Sequence, residues 1–241
     1  MSEKILETID EFGRRVASRR RLHSVRQFIG NMMTESLSTI PQASAYFEFQ
    51  TDTLLALKDK LKAKRPSVTV TSVIARIMAT VLKDYPLMNS AVIDGDLVLY
   101  DSCNIGIGVG LESGIMLVVI REAQDKNVFE ISDELMEKTL LLKKGELPIA
   151  EMKGSTFTIS SIGVLGIRYS TVIINPPETA MLAVGVTEKQ AVVLEDDSIA
   201  VRNVTGFAIS HNHVVMDGYH VGVVVDLMRQ RIADPESYMG L

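Results

Sequence analysis

The segment "SHNHVVMDGYH", residues 210–220, holds three of the chain's four histidines with one aspartate among them. "TGFAI" (205–209) leads into it and "VGVVVDLMRQRI" (221–232) follows. It reads as a strand end, a tight Asp217-Gly218 turn and a helix start. Three chemical readings are open on these residues alone. As a metal site, His211 and His213 stand two apart and share a strand face. Asp217 and His220 do not complete a ligand spacing, and Cys103 is the only cysteine, so this reading ranks second. As a general-base site, His213 needs a set tautomer, a nucleophile to deprotonate and a partner for the developing oxyanion. As plain structure, Asp217 caps the helix and His213 packs at the strand end. The short pattern H-x-x-x-D-G leaves the last two open.

Working upstream, "TAMLAVGVTEKQAVVLEDDSIAVRNVTGFAISHNHVV" (179–215) reads as strands in succession, as do "GSTFTISSIG" (154–163) and "STVIINPP" (170–177). "AVIDGDLVLY" (91–100) is a hairpin around Asp94-Gly95. "CNIGIGVGL" (103–111) and "GIMLVVI" (114–120) are two more strands. Helical spacing marks residues 3–19, through Ile5, Leu6, Ile9, Phe12 and Val16, and residues 25–37. Further helices run from a cap at Thr51 or Asp52 to about Arg65, over 69–85 and over 217–234. Another is expected over 131–147, with its entry capped at Ser132 to Leu135. Helices first, strands in the middle and a closing helix give one α+β domain with a mixed sheet.

Composition narrows the function. The chain has 241 residues, enough for one large core, and is 46% hydrophobic. No apolar run reaches the ~18 residues of a membrane span. A net charge of −5 argues against nucleic acid as a partner. The basic run "RRVASRRRLHSVR" (14–26) lacks interleaved aromatics and reads as a solvated face or subunit contact. A lone cysteine excludes an internal disulfide, and a cytoplasmic location is the expectation. "GIGVGLESG" (106–114) has a G-x-G spacing, but a strand follows it where a nucleotide fold needs a helix. In "FTISSIGVLGI" (157–167), Ser160 or Ser161 offers a hydroxyl ahead of a glycine turn.

In their order, "VRQFIGNMMTESLSTIPQASAYFEFQTDTLLALKDKL", "VTVTSVIARIMATVLKDYPLMNSAV", "NIGIGVGLESGIMLVVIREAQDKNVFEIS", "GSTFTISSIGVLGI", "STVIINPPETAMLAVGVTEKQAVV" and H-x-x-x-D-G resemble one family. It is the catalytic domain of the dihydrolipoamide acyltransferases, the core components of 2-oxo acid dehydrogenase complexes. The resemblance runs from about Arg26 to the C-terminus. It implies a chloramphenicol acetyltransferase-like fold, a mixed β-sheet flanked by helices, and "MDGYHVG" (216–222) leans toward that relative. It also implies roles: His213 as the base that deprotonates dihydrolipoamide or coenzyme A, Ser160 as oxyanion donor, and Asp217 as holder of the site's loop through Arg26. It further implies a homotrimer with the site shared between subunits, no metal, and a lipoyl group supplied in trans. A larger cage is implied where an apolar tail such as "DPESYMGL" (234–241) docks on a neighbouring trimer.

The expected organisation is a basic, amphipathic helical extension over 1–25 and a catalytic domain over 26–241, with no lipoyl or peripheral subunit-binding domain. Three departures stand out: Asn212-His213-Val214 where the family carries Asp-His-Arg, Leu117-Val118 where it carries Thr-Pro, and the missing accessory domains. The alternatives are an O- or N-acyltransferase acting on a small acceptor and a non-catalytic scaffold.

Overall fold

A computed structural model of the chain describes residues 8–111 and 114–241. Its elements are β1 (Thr8–Ile9), β2 (Arg15–Val16), α1 (Ser24–Thr39), β3 (Gln42–Gln50), α2 (Asp52–Lys64) and α3 (Val70–Asp84). They continue with β4 (Ser90–Ile93), β5 (Asp96–Leu99), β6 (Ile105–Leu111), β7 (Gly114–Ile120) and α4 (Val128–Lys144). The last are β8 (Phe157–Ser161), β9 (Ala180–Val193), β10 (Ile199–Asn212) and α5 (Gly218–Ala233). Six strands form one mixed sheet in the order β3-β10-β9-β8-β6-β7. β8 runs parallel to both its neighbours and the other pairs are antiparallel.

Alternation along the strands divides the sheet's two faces. Phe157 and Ile159 of β8, Leu182 and Val184 of β9, and Phe207 and Ile209 of β10 join one core with α2, α3 and α5. α3 is apolar nearly all round and is buried accordingly, from Val73 to Leu82. A reciprocal cap between Thr69 and Ser72 starts it. Ala183 and Ala208 point to the opposite face, where they meet Val172. A strap, residues 163–171, lies there directly on the sheet. A Cβ on Gly185 or Gly206 would overlap the Arg168 carbonyl oxygen, so these strands need glycine at the crossing. β4 and β5 form the expected hairpin, with positive φ at Asp94 (53°) and Gly95 (89°).

Three expectations are corrected. The helix expected over 3–19 is a hairpin in its described part, since β1 pairs with β2; residues 1–7 lie outside the described residues. Asp10 decides this: its carboxylate accepts from the backbone N–H of Phe12 (3.0 Å) and Arg14 (2.9 Å), and Gly13 takes φ 76°. "STVIINPP" forms no strand. Its Ile174 N–H donates to Gln42 Oε1 (3.1 Å), and its carbonyl accepts from Ser36 Oγ (2.6 Å). α4 starts at Val128, capped by Asn127 and Glu130. Ser132 is instead buried, donating to the Val128 carbonyl.

Within the single chain, the tail packs on its own domain. Met239 is buried in the core and Arg231 lies over the Tyr238 ring at 4.9 Å. Arg76 Nε donates to the Tyr238 carbonyl (2.9 Å) and the Val128 N–H to that of Met239 (3.0 Å). Only Leu241 of the tail's large apolar side chains stays exposed.

Candidate functional site

β10 carries the signature to the end of the sheet and stops there for a local reason. The Asn212 carboxamide oxygen accepts from the Val214 N–H (3.0 Å), and the Asn212 carbonyl accepts from Val215 and Met216 (3.0 Å each). This is a side-chain-closed turn. The His213 N–H donates to the Pro41 carbonyl (2.9 Å), which ties the turn to the start of β3. The His213 backbone is thereby fixed. Its ring is exposed and, among the described residues, makes no hydrogen bond.

Asp217 caps α5. Its Oδ1 accepts from the N–H of Tyr219 (2.9 Å) and His220 (3.3 Å) and from His220 Nδ1 (2.7 Å). The His220 hydrogen bond, more than any other contact, holds its carboxyl below the usual range. Arg26 is elsewhere in the chain. It lies on α1 beside Gly114, at the start of β7. β7 is four strands from β10, about 19 Å at the usual strand spacing. Within one chain, therefore, His220 is the partner of Asp217 and Arg26 is not.

Ser160 is buried on β8, paired with Gly108 of β6 and Ala183 of β9. Ala183 in turn pairs with Ala208 of β10. His213 lies five residues beyond Ala208 and two strands across, which puts it about 20 Å from Ser160 by strand geometry. One chain does not bring the two together. Ser161 points to the face opposite Ser160.

His213 lines a hollow of ≈ 410 Å³ between β3 and the first turns of α5. Its walls include Ala43, Ala45, His211, Val221 and Gly222, and among the described residues no lysine, arginine or carboxylate lines it. His211 is buried, with its ring centroid 5.7 Å from that of His213. Burial first, then the neighbouring His213, pushes its pKa down, against a smaller opposing pull from Asp217. Both its ring nitrogens are sealed from solvent and unpaired among the described residues. No group of three or more metal-ligating side chains converges among the described residues.

One polar cluster escaped the sequence reading. Glu178, fully buried at the start of β9, accepts through Oε1 from Ser155 (2.5 Å), Thr158 (2.8 Å) and Asn175 (2.9 Å). Burial raises its pKa to about 7. The available signal was a lone carboxylate in "NPPETAMLAVG" (175–185), placed against an apolar strand.

The mixed sheet with its flanking helices is that of the chloramphenicol acetyltransferase-like fold class. A chloramphenicol acetyltransferase superposes with a TM-score of 0.51 at 14% identity, over 88% of this chain and 99% of that one. The particular family follows from the sequence of the whole domain. Residues 15–240 match the model of the 2-oxoacid dehydrogenases acyltransferase (catalytic domain) family, and the chain belongs to it.

Among similar proteins is the dihydrolipoyllysine-residue acetyltransferase component of the pyruvate dehydrogenase complex of Bacillus subtilis (strain 168). It is 28% identical over 225 residues, 91% of this chain and 51% of that protein. The succinyltransferase component of the 2-oxoglutarate dehydrogenase complex of Cupriavidus necator is 30% identical over 228 residues, 92% and 55% of the two chains. The truncated catalytic core of the 2-oxoacid dehydrogenase multienzyme complex of Thermoplasma acidophilum superposes with a TM-score of 0.83 at 30% identity. That match covers 90% of this chain and 99% of that one. The chain spans about half the length of the curated relatives it matches.

Proposed function

We propose that the protein moves an acyl group between coenzyme A and a dihydrolipoyl-type thiol supplied in trans, with His213 as general base. The open ring nitrogen of His213 takes the thiol proton. The thiolate attacks the acyl thioester carbonyl, and the oxyanion is held by a Ser160 hydroxyl. Collapse expels the second thiolate, which recovers the proton from the imidazolium. No step calls for a metal. Imidazole is the side chain most often used to exchange protons with a reacting group in general acid–base catalysis.

The observation that carries this reading is the placement of His213 in a chain of this family: its backbone is pinned, the residue is exposed, and it lines a hollow with no charged side chain among the described residues. The separation of His213 from Ser160 supports a site completed between subunits, and the family resemblance makes a homotrimer the expected assembly. A larger cage would need contacts other than Tyr238 and Met239, which are packed on their own domain. Residues 26–241 are taken as the catalytic unit and 1–25 as an extension, although the family match reaches back to residue 15.

The test is thiol release from acetyl-coenzyme A with free dihydrolipoamide, a lipoylated domain, and a panel of small alcohols and amines. Transfer to the thiols alone is expected. Transfer to an alcohol or amine alone would favour the small-acceptor reading. His213→Ala should lower turnover by ~10²–10⁴, the usual span for losing a general base. Near-wild-type turnover in a folded His213→Ala protein would remove His213 from the role.

A further inference from the structure

The start of β8 is built around a carboxyl group that the proposed reaction does not use. Glu178 is the only buried acidic side chain among the described residues. Ser155 reaches it from the segment ahead of β8, Thr158 from β8 itself and Asn175 from the segment ahead of β9. Ala91 of β4 bridges to its backbone. β6 leaves room for the cluster: a Cβ on Gly106 would stand 2.9 Å from Thr158 Oγ1 and 3.0 Å from Ser155 Cβ. The first glycine of "GIGVG" (106–110) therefore serves this cluster and not a nucleotide.

The two oxygens of Glu178 have different surroundings. Oε1 accepts all three side-chain donors, from Ser155 (2.5 Å), Thr158 (2.8 Å) and Asn175 (2.9 Å). Oε2 is sealed from solvent and meets no donor among the described residues. An ionised carboxylate accepts at both oxygens alike. A protonated acid keeps one oxygen as acceptor and turns the other into a donor. The donors on Oε1 are two hydroxyls and a carboxamide, all neutral. A buried carboxyl without a countercharge takes up a proton instead of staying ionised. Thr158, its pair Gly106 and the bridging Ala91 do not titrate. Arg121 lies against Gly154, next to Ser155, but its guanidinium is directed to the Ala150 and Lys153 carbonyls (2.8 and 3.0 Å).

We infer that Glu178 is a positioning residue that acts as a neutral acid: its proton sits on Oε2, its Oε1 gathers three donors, and the cluster fixes the strand that presents Ser160. Thr158 and Ser160 alternate along β8 and share a face. Their partners run in step, Gly106 and Gly108 on β6, Met181 and Ala183 on β9. Asn175 and Glu178 close the turn into β9, the Glu178 N–H donating to the Asn175 carbonyl (3.0 Å). One carboxyl thus ties both β8 and β9 beside the oxyanion donor. Ionisation would leave a charged Oε2 without a donor. Relief comes from admitting water, which loosens the hub on Oε1. A shift of ~1 Å in a reacting group can lower a rate ~100-fold. Burial sets the change of charge at a pH of about 7. The acid form holds below that pH and is lost as pH rises through it.

This inference rests on Ser160 being the oxyanion donor, so its test keeps the two apart. Infrared spectra of the intact chain report the proton without any assay of activity. Ordinary carboxyls are ionised at pH 6. A protonated-carboxyl C=O band at that pH is expected from Glu178, fading as pH rises through about 7 and absent from Glu178→Gln. Activity is the second readout. Wild-type kcat with dihydrolipoamide should fall by ~10-fold between pH 6.5 and pH 9, with KM held within about twofold. Glu178→Gln keeps the acceptor oxygen and cannot ionise. It should match wild type within about twofold at pH 6.5 and hold its kcat at pH 9.

A wild type with no protonated carboxyl at pH 6 would overturn the inference, and that readout needs no variant to fold. An equal fall of kcat in wild type and Glu178→Gln would overturn it too, because the titrating group would lie elsewhere. So would a fall confined to KM. Full turnover in Ser160→Ala, with the carboxyl band present, would remove Ser160 from the proposed mechanism and the positioning with it, while the proton on Glu178 stands.

Discussion

At the scale of single residues, strand parity separates two serines that the sequence leaves adjacent. Ser160 and Ser161 point to opposite faces of β8, and a one-residue change of register would exchange them. Ser160→Ala should lower turnover by ~10²–10³, the usual cost of losing an oxyanion donor, with coenzyme A affinity little changed. Ser161→Ala should have little effect, and paired measurements of kcat and Kd decide the order. Glu178 makes a prediction about pH. Its folded pKa of about 7 stands above an ordinary value of 4.5. Its contribution to stability is therefore complete below pH 4.5 and lost as pH rises through 7, with at most roughly 3 kcal/mol at stake. Glu178→Gln removes that charge. Its unfolding free energy should exceed wild type at pH 8 and converge on it near pH 5. Urea denaturation at the two pH values checks this, and parallel curves would refute it. Strand and turn patterns offered His213, Asp217 and Ser160 or Ser161 as candidates, and only the family resemblance gave them roles. The sequence could not show that Glu178 meets Ser155, Thr158 and Asn175, or that His211 meets nothing, because those facts depend on what the chain folds against them.

Elements with a strong local period were legible; those decided by side-chain capture of the backbone were not. α3, α5 and the β9–β10 pair follow their apolar spacing. Residues 8–16 have a helical period in Ile9, Phe12 and Val16, yet Asp10 and Gly13 turn them into a hairpin. "STVIINPP" has strand composition, but its backbone groups are claimed by Ser36 and Gln42. The strap over the sheet provides the test at this scale. Gly185→Ala sets a methyl group against the Arg168 carbonyl, so the strap must lift from the sheet or the strand must bend. A loss of about 1–3 kcal/mol is expected, in the range for overpacking, and calorimetry on the variant measures it. An unchanged melting temperature would mean the strap does not lie on the strand as described.

For the whole molecule, assembly is the open quantity. The ~20 Å between His213 and Ser160 calls for another copy of the chain at each site; the family resemblance makes a trimer the expected assembly, and a closed ring completes every copy of the site equally. Light scattering on the intact chain checks it; a fully active monomer would refute the shared site. Ending the chain at Asp234 should lower the melting temperature whatever the assembly, because it removes Met239 from the core and the carbonyl partner of Arg76. By itself the sequence determined the α+β class, most of the element order, the family and the turn that presents His213. All of these are written in local periods, turn residues and the order of segments. Tertiary structure alone decided the partner of Asp217, the fate of the tail, the isolation of His211 and the distance from base to serine. Those depend on strand order, and strand order is set by which apolar faces bury each other across long separations in the chain.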